Sequence, residues 1–140
     1  MARRKTSRIL AVAVTSRGVG FAVLEGPSAL VDWGVKQPKP YREDRCAAHL
    51  HKLAARYAPD RIVVEDHTVR PRRCSNRVRS LFERVHGVAA ARDIPARAIR
   101  RETVRKAFAP HGRLTKFAVS RRVAQVLPVL VRRLPPYRKP

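Results

Sequence analysis

The stretch Arg61-Ile-Val-Val-Glu-Asp-His67 closes a short apolar run with two adjacent carboxylates, in a chain of 140 residues whose formal net charge is +22. Carboxylates at the end of a strand are groups that hold divalent cations, and this chain has only 10 Asp and Glu against 32 Lys and Arg. Neighbours on a strand point to opposite faces, so Glu65 and Asp66 form one chelating pair only if the strand ends between them. His67, His86 and His111 read as surface or loop residues rather than ligands, with His67 placed to approach a phosphate. The two cysteines, Cys46 and Cys74, stand in dissimilar surroundings without a CxxC or a Cys/His cluster, which suggests inert thiols rather than zinc or a disulfide.

The second group with chemistry to offer is cationic. Arg70, Arg72, Arg73, Arg77 and Arg79 follow directly on the two acids, and Arg105, Lys106, Arg113 and Lys116 form a later cluster. So dense a charge repels itself unless polyanions surround it, and Arg is the better residue for bidentate phosphate contacts. A merely solvated basic surface, or a coding bias toward Arg, is the plainer reading. The clustering after Glu65 favours phosphate binding, and six neutralised phosphates imply a slope of log affinity against log salt of about −5 on duplex DNA. An acidic membrane surface is the competing partner, but no helix joins a basic face to an apolar face rich in Trp and Phe. The runs Ile9 to Val14 and Ile62 to Val64 are too short to cross a bilayer, and the basic start lacks the unbroken apolar stretch of a signal peptide. A protein of the cytoplasm is the expectation, with one domain's worth of chain.

These groups must be positioned by particular elements. Ile9 to Val14 is an apolar run of strand length, Thr15-Ser16-Arg17-Gly18 carries turn chemistry, and Gly20 to Leu24 returns as a second strand. After Gly26-Pro27-Ser28, Ala29 to Val35 supplies a third strand containing Trp33. From Tyr41 the period changes: Cys46, Ala47, Leu50, Leu53, Ala54 and Tyr57 predict a helix ended at Ala58-Pro59-Asp60. The opening stretch is then a fourth strand, and its apolar character on both faces predicts a central place in a mixed sheet covered by helices. Val78, Leu81, Phe82, Val85, Val88 and Ala89 predict a helix from about Asn76 to Arg92, and Ile94 to Ile99 is a short fifth strand. Further helices are expected at Glu102 to Ala109 and Thr115 to Leu127, before a proline-rich basic tail over 134–140. Trp33 and Phe82 read as core. In this order Asp32 lies remote from the fourth strand, and Glu25 lies at the far end of the second.

The order of three strands, helix, strand, helix, strand, helix resembles the ribonuclease H-like fold. The run Arg8-Ile-Leu-Ala-Val-Ala-Val-Thr-Ser-Arg-Gly-Val-Gly-Phe-Ala-Val23 is similar to the first hairpin of RuvC-type Holliday junction resolvases and their uncharacterised bacterial relatives. Pro59-Asp-Arg-Ile-Val-Val-Glu65 is similar to their fourth strand, and Val104 to Lys116 to the basic segment before their last helices. The resemblance implies an α/β domain over 1–133, with a mixed five-stranded sheet and helices on both faces. It also implies a two-metal nuclease, in which a first-strand acid bridges both ions, a Glu closing the fourth strand holds one, and acids on a final helix complete the set. Two Mg²⁺ ions about 4 Å apart need several oxygens converging from different elements.

The sequence departs from that pattern at two points. Ala13 stands where the first-strand acid belongs, and no Asp or Glu follows Glu102. Thr15 and Ser16 are poor substitutes for a bridging carboxylate. Glu65 is the one acid retained at a position the resemblance marks as catalytic and metal-binding, and its plainer reading is a strand-end carboxylate paired with Arg70, Arg72 or Arg73. The expectation is a nucleic-acid-binding domain, for duplex or branched DNA, with a degenerate nuclease site and weak Mg²⁺ binding at most. An active Mg²⁺-dependent endonuclease, completed by further sequence or a partner, and a basic scaffold of a ribonucleoprotein particle are the alternatives. The resemblance further implies a homodimer.

Overall fold

The computed structural model describes residues 7–27, 29–66, 75–100 and 102–103. The chain divides into two units, Met1–Arg100 and Arg101–Pro140, and the elements below belong to the first. The expected domain span 1–133, the helices after Glu102 and the tail 134–140 all reach outside the described residues.

Three antiparallel strands open the fold: β1 (Arg8–Thr15), β2 (Gly18–Glu25) and β3 (Ala29–Lys36). Helix α1 (Glu43–Tyr57) leads to β4 (Arg61–Glu65), and helix α2 (Asn76–Ala91) leads to β5 (Ala96–Ile99). The sheet has the order β3-β2-β1-β4-β5, with β1 pairing β2 antiparallel and β4 parallel. This is the mixed five-stranded sheet expected, with the fourth strand inside it. The first hairpin turns on Ser16 and Arg17, and its geometry demands glycine at position 18. There φ is +152°, and a side chain would run into the Lys36 carbonyl oxygen at the end of β3.

Alternation along the strands sorts the side chains. Leu10, Val12 and Val14 of β1, Val19 and Val23 of β2, and Ile62 and Val64 of β4 are buried on one face. Against them pack Cys46, Leu50 and Leu53 of α1 and Leu81, Phe82, Val85, Val88 and Ala89 of α2. The helical spacings seen in the sequence thus mark the buried stripes, and each large aliphatic side chain so buried contributes about 1.5–3 kcal/mol. Both helices lie on this face; any helix on the other face falls outside the described residues. Trp33 differs from expectation. It is half-buried opposite Ala22, on the second face, because the residue before it, Asp32, takes the helix-side position. Among the described residues no helix is long and apolar enough to cross a membrane.

Polar fastenings close the ends. Arg8 donates through its guanidinium to the Tyr57 carbonyl at 2.8 Å and pairs with Glu25 at 3.3 Å, while its amide donates to Asp60 at 2.8 Å. The Tyr57 hydroxyl donates to Asp32 at 2.6 Å, tying the end of α1 to β3. Ser80 donates to both carboxylate oxygens of Glu43, at 2.8 and 2.9 Å, and Arg84 pairs with Asp44 at 3.6 Å, which joins the two helices. Ser75 caps α2, its hydroxyl accepting from the Val78 amide at 3.2 Å.

Two helix positions carry the wrong residue for their backbone. Gly87 sits in mid-helix where an added methyl meets nothing within 4 Å, and Ala58 ends α1 in the left-handed region at φ 43°. Gly87→Ala is expected to raise stability by roughly 0.5–1 kcal/mol. Ala58→Gly is expected to raise it by up to about 1 kcal/mol, the relief of strain outweighing glycine's greater chain entropy. Denaturant midpoints at unchanged slope check both.

His49 supplies a pH dependence. Burial, helped by the Lys36 and Lys52 charges and opposed by Asp32, holds its ring below the ordinary histidine value. Its Nε2 is buried without a partner. As pH falls below about 6.5 the unfolded chain takes up a proton that the folded ring declines, so this contribution is present above that value and lost below it. The melting temperature of the native protein is expected to drop more steeply with acid than that of His49→Gln; parallel curves sink the assignment.

Candidate nucleic-acid interface

The parallel ladder between β1 and β4 pairs Ile9 with Arg61, Leu10 with Ile62, Ala11 with Val63 and Val12 with Val64. One step further, the same register sets Ala13 alongside Glu65. Both lie on the face away from α1 and α2, since Val12 and Val64 before them are buried beneath the helices. On the other side of Ala13 stands Gly20, and beyond it Val35; on the other side of Glu65 stands Ile99. A side chain begun at Gly20 would lie 3.9 Å from the Ala13 methyl. The row across the sheet therefore reads Val35, Gly20, Ala13, Glu65, Ile99. Glu65 is the one residue in it with a polar side chain.

The remaining acids do not converge on Glu65. The Asp66 amide donates to the Ile99 carbonyl at 2.8 Å, so the β4–β5 pairing runs past Glu65 and carries on the alternation that separates the two acids. Asp32 lies three strands away, on the helix face, and is held by Tyr57. Glu25 sits at the opposite end of the sheet, paired with Arg8. Among the described residues no three His, Cys, Asp or Glu side chains gather as a metal site. The two-metal arrangement implied by the resemblance does not fit these residues, because a bridging ligand must carry charge and Ala13 offers a methyl group.

Topology brings several cations to one end. β1, β3, β4 and β5 all run the same way, so the β1–β2 turn, the segment from Lys36 to Arg42, Glu65 and Arg100 share the carboxyl end of the sheet. The start of α2 is there too, since the Arg77 guanidinium lies over the Tyr41 ring, 4.7 Å from its centroid. Burial, with Cys46 and Glu43 beside it, pushes the Tyr41 phenol up in spite of the Arg77 charge. Arg77 and Arg79 are exposed on α2. Arg70, Arg72, Arg73, Arg105, Lys106, Arg113 and Lys116 lie outside the described residues, as do Cys74, His67 and His111. Cys46 is a free, buried thiol whose pKa burial raises. His86 donates from Nδ1–H to the Phe82 carbonyl, 3.1 Å away, and its ring lies tilted against the Phe82 ring, centroids 4.6 Å apart.

Sequence reasoning missed one cation on the Glu65 face. Arg97 of β5 is exposed and pairs with Val63, two places before Glu65 and therefore on its side of the sheet. The alternation Ala96-Arg97-Ala98-Ile99 was the signal, with Ala98 packed against the core.

No family model and no curated protein sequence matches the chain. Solved structures do. RuvC of T. thermophilus in complex with a Holliday junction substrate is 20% identical, with a TM-score of 0.68 over 96% of this chain and 84% of that one. The Thermus thermophilus RuvC structure is 21% identical, with a TM-score of 0.68 over 95% of this chain and 84% of that one. The yeast mitochondrial Holliday junction resolvase is 14% identical, with a TM-score of 0.61 over 85% of this chain and 61% of that one. With its three antiparallel strands, its parallel β1–β4–β5 extension and this likeness, the chain carries the ribonuclease H-like fold in the form that RuvC resolvases have.

Proposed function

We propose that this chain is a nucleic-acid-binding domain on a RuvC-like frame whose two-metal nuclease site is degenerate. The observation that carries this reading is the β1–β4 register, which sets the Ala13 methyl beside Glu65 where the bridging acid belongs. A formal charge of +22 supplies the affinity for phosphate that the missing carboxylates no longer oppose. Duplex or branched DNA is the substrate class, by likeness to the RuvC solved with a Holliday junction. Arg77 and Arg79, together with Arg70, Arg72, Arg73, Arg105, Lys106, Arg113 and Lys116, are the proposed phosphate contacts. Glu65 is the one family carboxylate retained, and Mg²⁺ bridges it to phosphate weakly at most.

Binding and cleavage test the two halves separately. On duplex or four-way-junction DNA, log affinity is expected to fall against log salt with a slope of about −5 or steeper, with or without EDTA. No affinity for DNA or RNA at low salt overturns the reading. In Mg²⁺ or Mn²⁺ no nicking or junction cleavage is expected. Turnover that is abolished by Glu65→Ala replaces degeneracy with an active endonuclease. Ala13→Asp, which returns a second carboxylate to the row, is expected to gain a Mg²⁺-dependent rise in melting temperature that the native chain lacks.

A further inference from the structure

The carboxyl end of the sheet extends well past Glu65, to the edge strand β3. Arg17 projects from the β1–β2 turn, and the docking of Gly18 against the Lys36 carbonyl brings that turn against the end of β3. From there Lys36, Lys39 and Arg42 follow one another along the short segment that leads into α1. Pro38 and Pro40 fix φ within this segment and limit its freedom. Tyr41, packed on the core, carries the Arg77 guanidinium over its ring. The sequence scatters these five residues over 60 positions; the fold puts them along one rim.

Among the described residues the cations of this rim are not consumed by ion pairs. Arg17, Lys39 and Arg42 are exposed, and none forms an ion pair with a described carboxylate. The acids nearest in the chain, Glu43 and Asp44, are committed to Ser80 and Arg84. At the opposite end of the sheet Arg8 is spent on Glu25 and on the Tyr57 carbonyl, and Arg92 donates to His51. Exposed cations such as Lys52, Arg56 and Arg61 occur elsewhere too; what sets the rim apart is that its cations line up along the end where Glu65 lies.

The dimensions fit an extended polyanion rather than a point anion. Five strands at about 4.8 Å spacing make the sheet end about 19 Å wide. Half a turn of duplex DNA measures about 17 Å along its axis, so one arm laid across the end reaches from the Glu65 row to the β3 rim. We infer that Arg17, Lys36, Lys39, Arg42 and Arg77 form a second phosphate track, which holds a duplex arm of DNA across the carboxyl end of the sheet toward β3. This inference rests on the nucleic-acid-binding reading above.

The test compares two triple variants that remove equal charge. Arg17→Gln/Lys39→Gln/Arg42→Gln strips the rim, and Lys52→Gln/Arg56→Gln/Arg92→Gln strips exposed cations at the other end of the helices. Affinity for a labelled DNA duplex about two helical turns long is measured over a salt series, with circular dichroism and thermal melts to show that both variants are folded. The rim variant is expected to bind more weakly than the native chain, with a salt slope shallower by about 2.7, which is three contacts at about 0.9 each. The second variant is expected to keep the native slope. Equal slopes in the two variants, whether both changed or both native, overturn the track and leave DNA binding itself in place. A native chain that does not bind the duplex overturns the reading beneath it as well.

Discussion

The parallel ladder between β1 and β4 is the contact on which the rest of the molecule depends. It joins residues about fifty positions apart, so its closure costs chain entropy that local turns do not. The return is burial: Leu10, Val12, Ile62 and Val64 come together beneath two helices, each at 5% exposure or less. The same ladder fixes which face every later residue of the two strands occupies, because a slip of one position would turn the whole apolar set toward solvent. Ala13 and Glu65 are neighbours as a by-product of that burial. The chemistry of the row is set by how the core packs.

The few carboxylates of this basic chain are employed largely as fasteners. Glu25 and Asp60 hold Arg8 at one end of the sheet, Asp32 accepts from Tyr57, and Glu43 and Asp44 bind α2 through Ser80 and Arg84. Half of the ten acids are accounted for in this way. Each such contact sets an unlike charge, a hydroxyl or a backbone amide against the acid and links elements far apart in the chain. Among the described residues Arg17, Lys39 and Arg42 are exposed and outside these ion pairs, and the fold decides where they stand.

Phosphate recognition and two-metal hydrolysis make opposite demands on a site. Hydrolysis needs several carboxylates crowded together and offset by cations brought from solution. Binding needs fixed positive charge and is weakened by carboxylates that face the phosphates. A sheet with methyl, hydrogen and aliphatic side chains around Glu65, bordered by cations, suits the second demand.

Much of the architecture was legible in the chain because periodicity is a local property. Apolar runs of strand length marked β1 and β2, steps of three and four marked α1 and α2, and the buried helix stripes fell on the residues those steps named. Trp33 was misplaced because a strand with large apolar residues at several positions does not declare which face is covered. The count of cations and the absence of acids after Glu102 are likewise plain in the sequence. Adjacency across the sheet is not. That Ala13 lies beside Glu65, that Arg97 shares its face, and that Arg17 and Arg42 meet Arg77 on one rim were decided only by the tertiary structure. Register between distant strands is chosen by burial of the whole core, and no short window of sequence contains it.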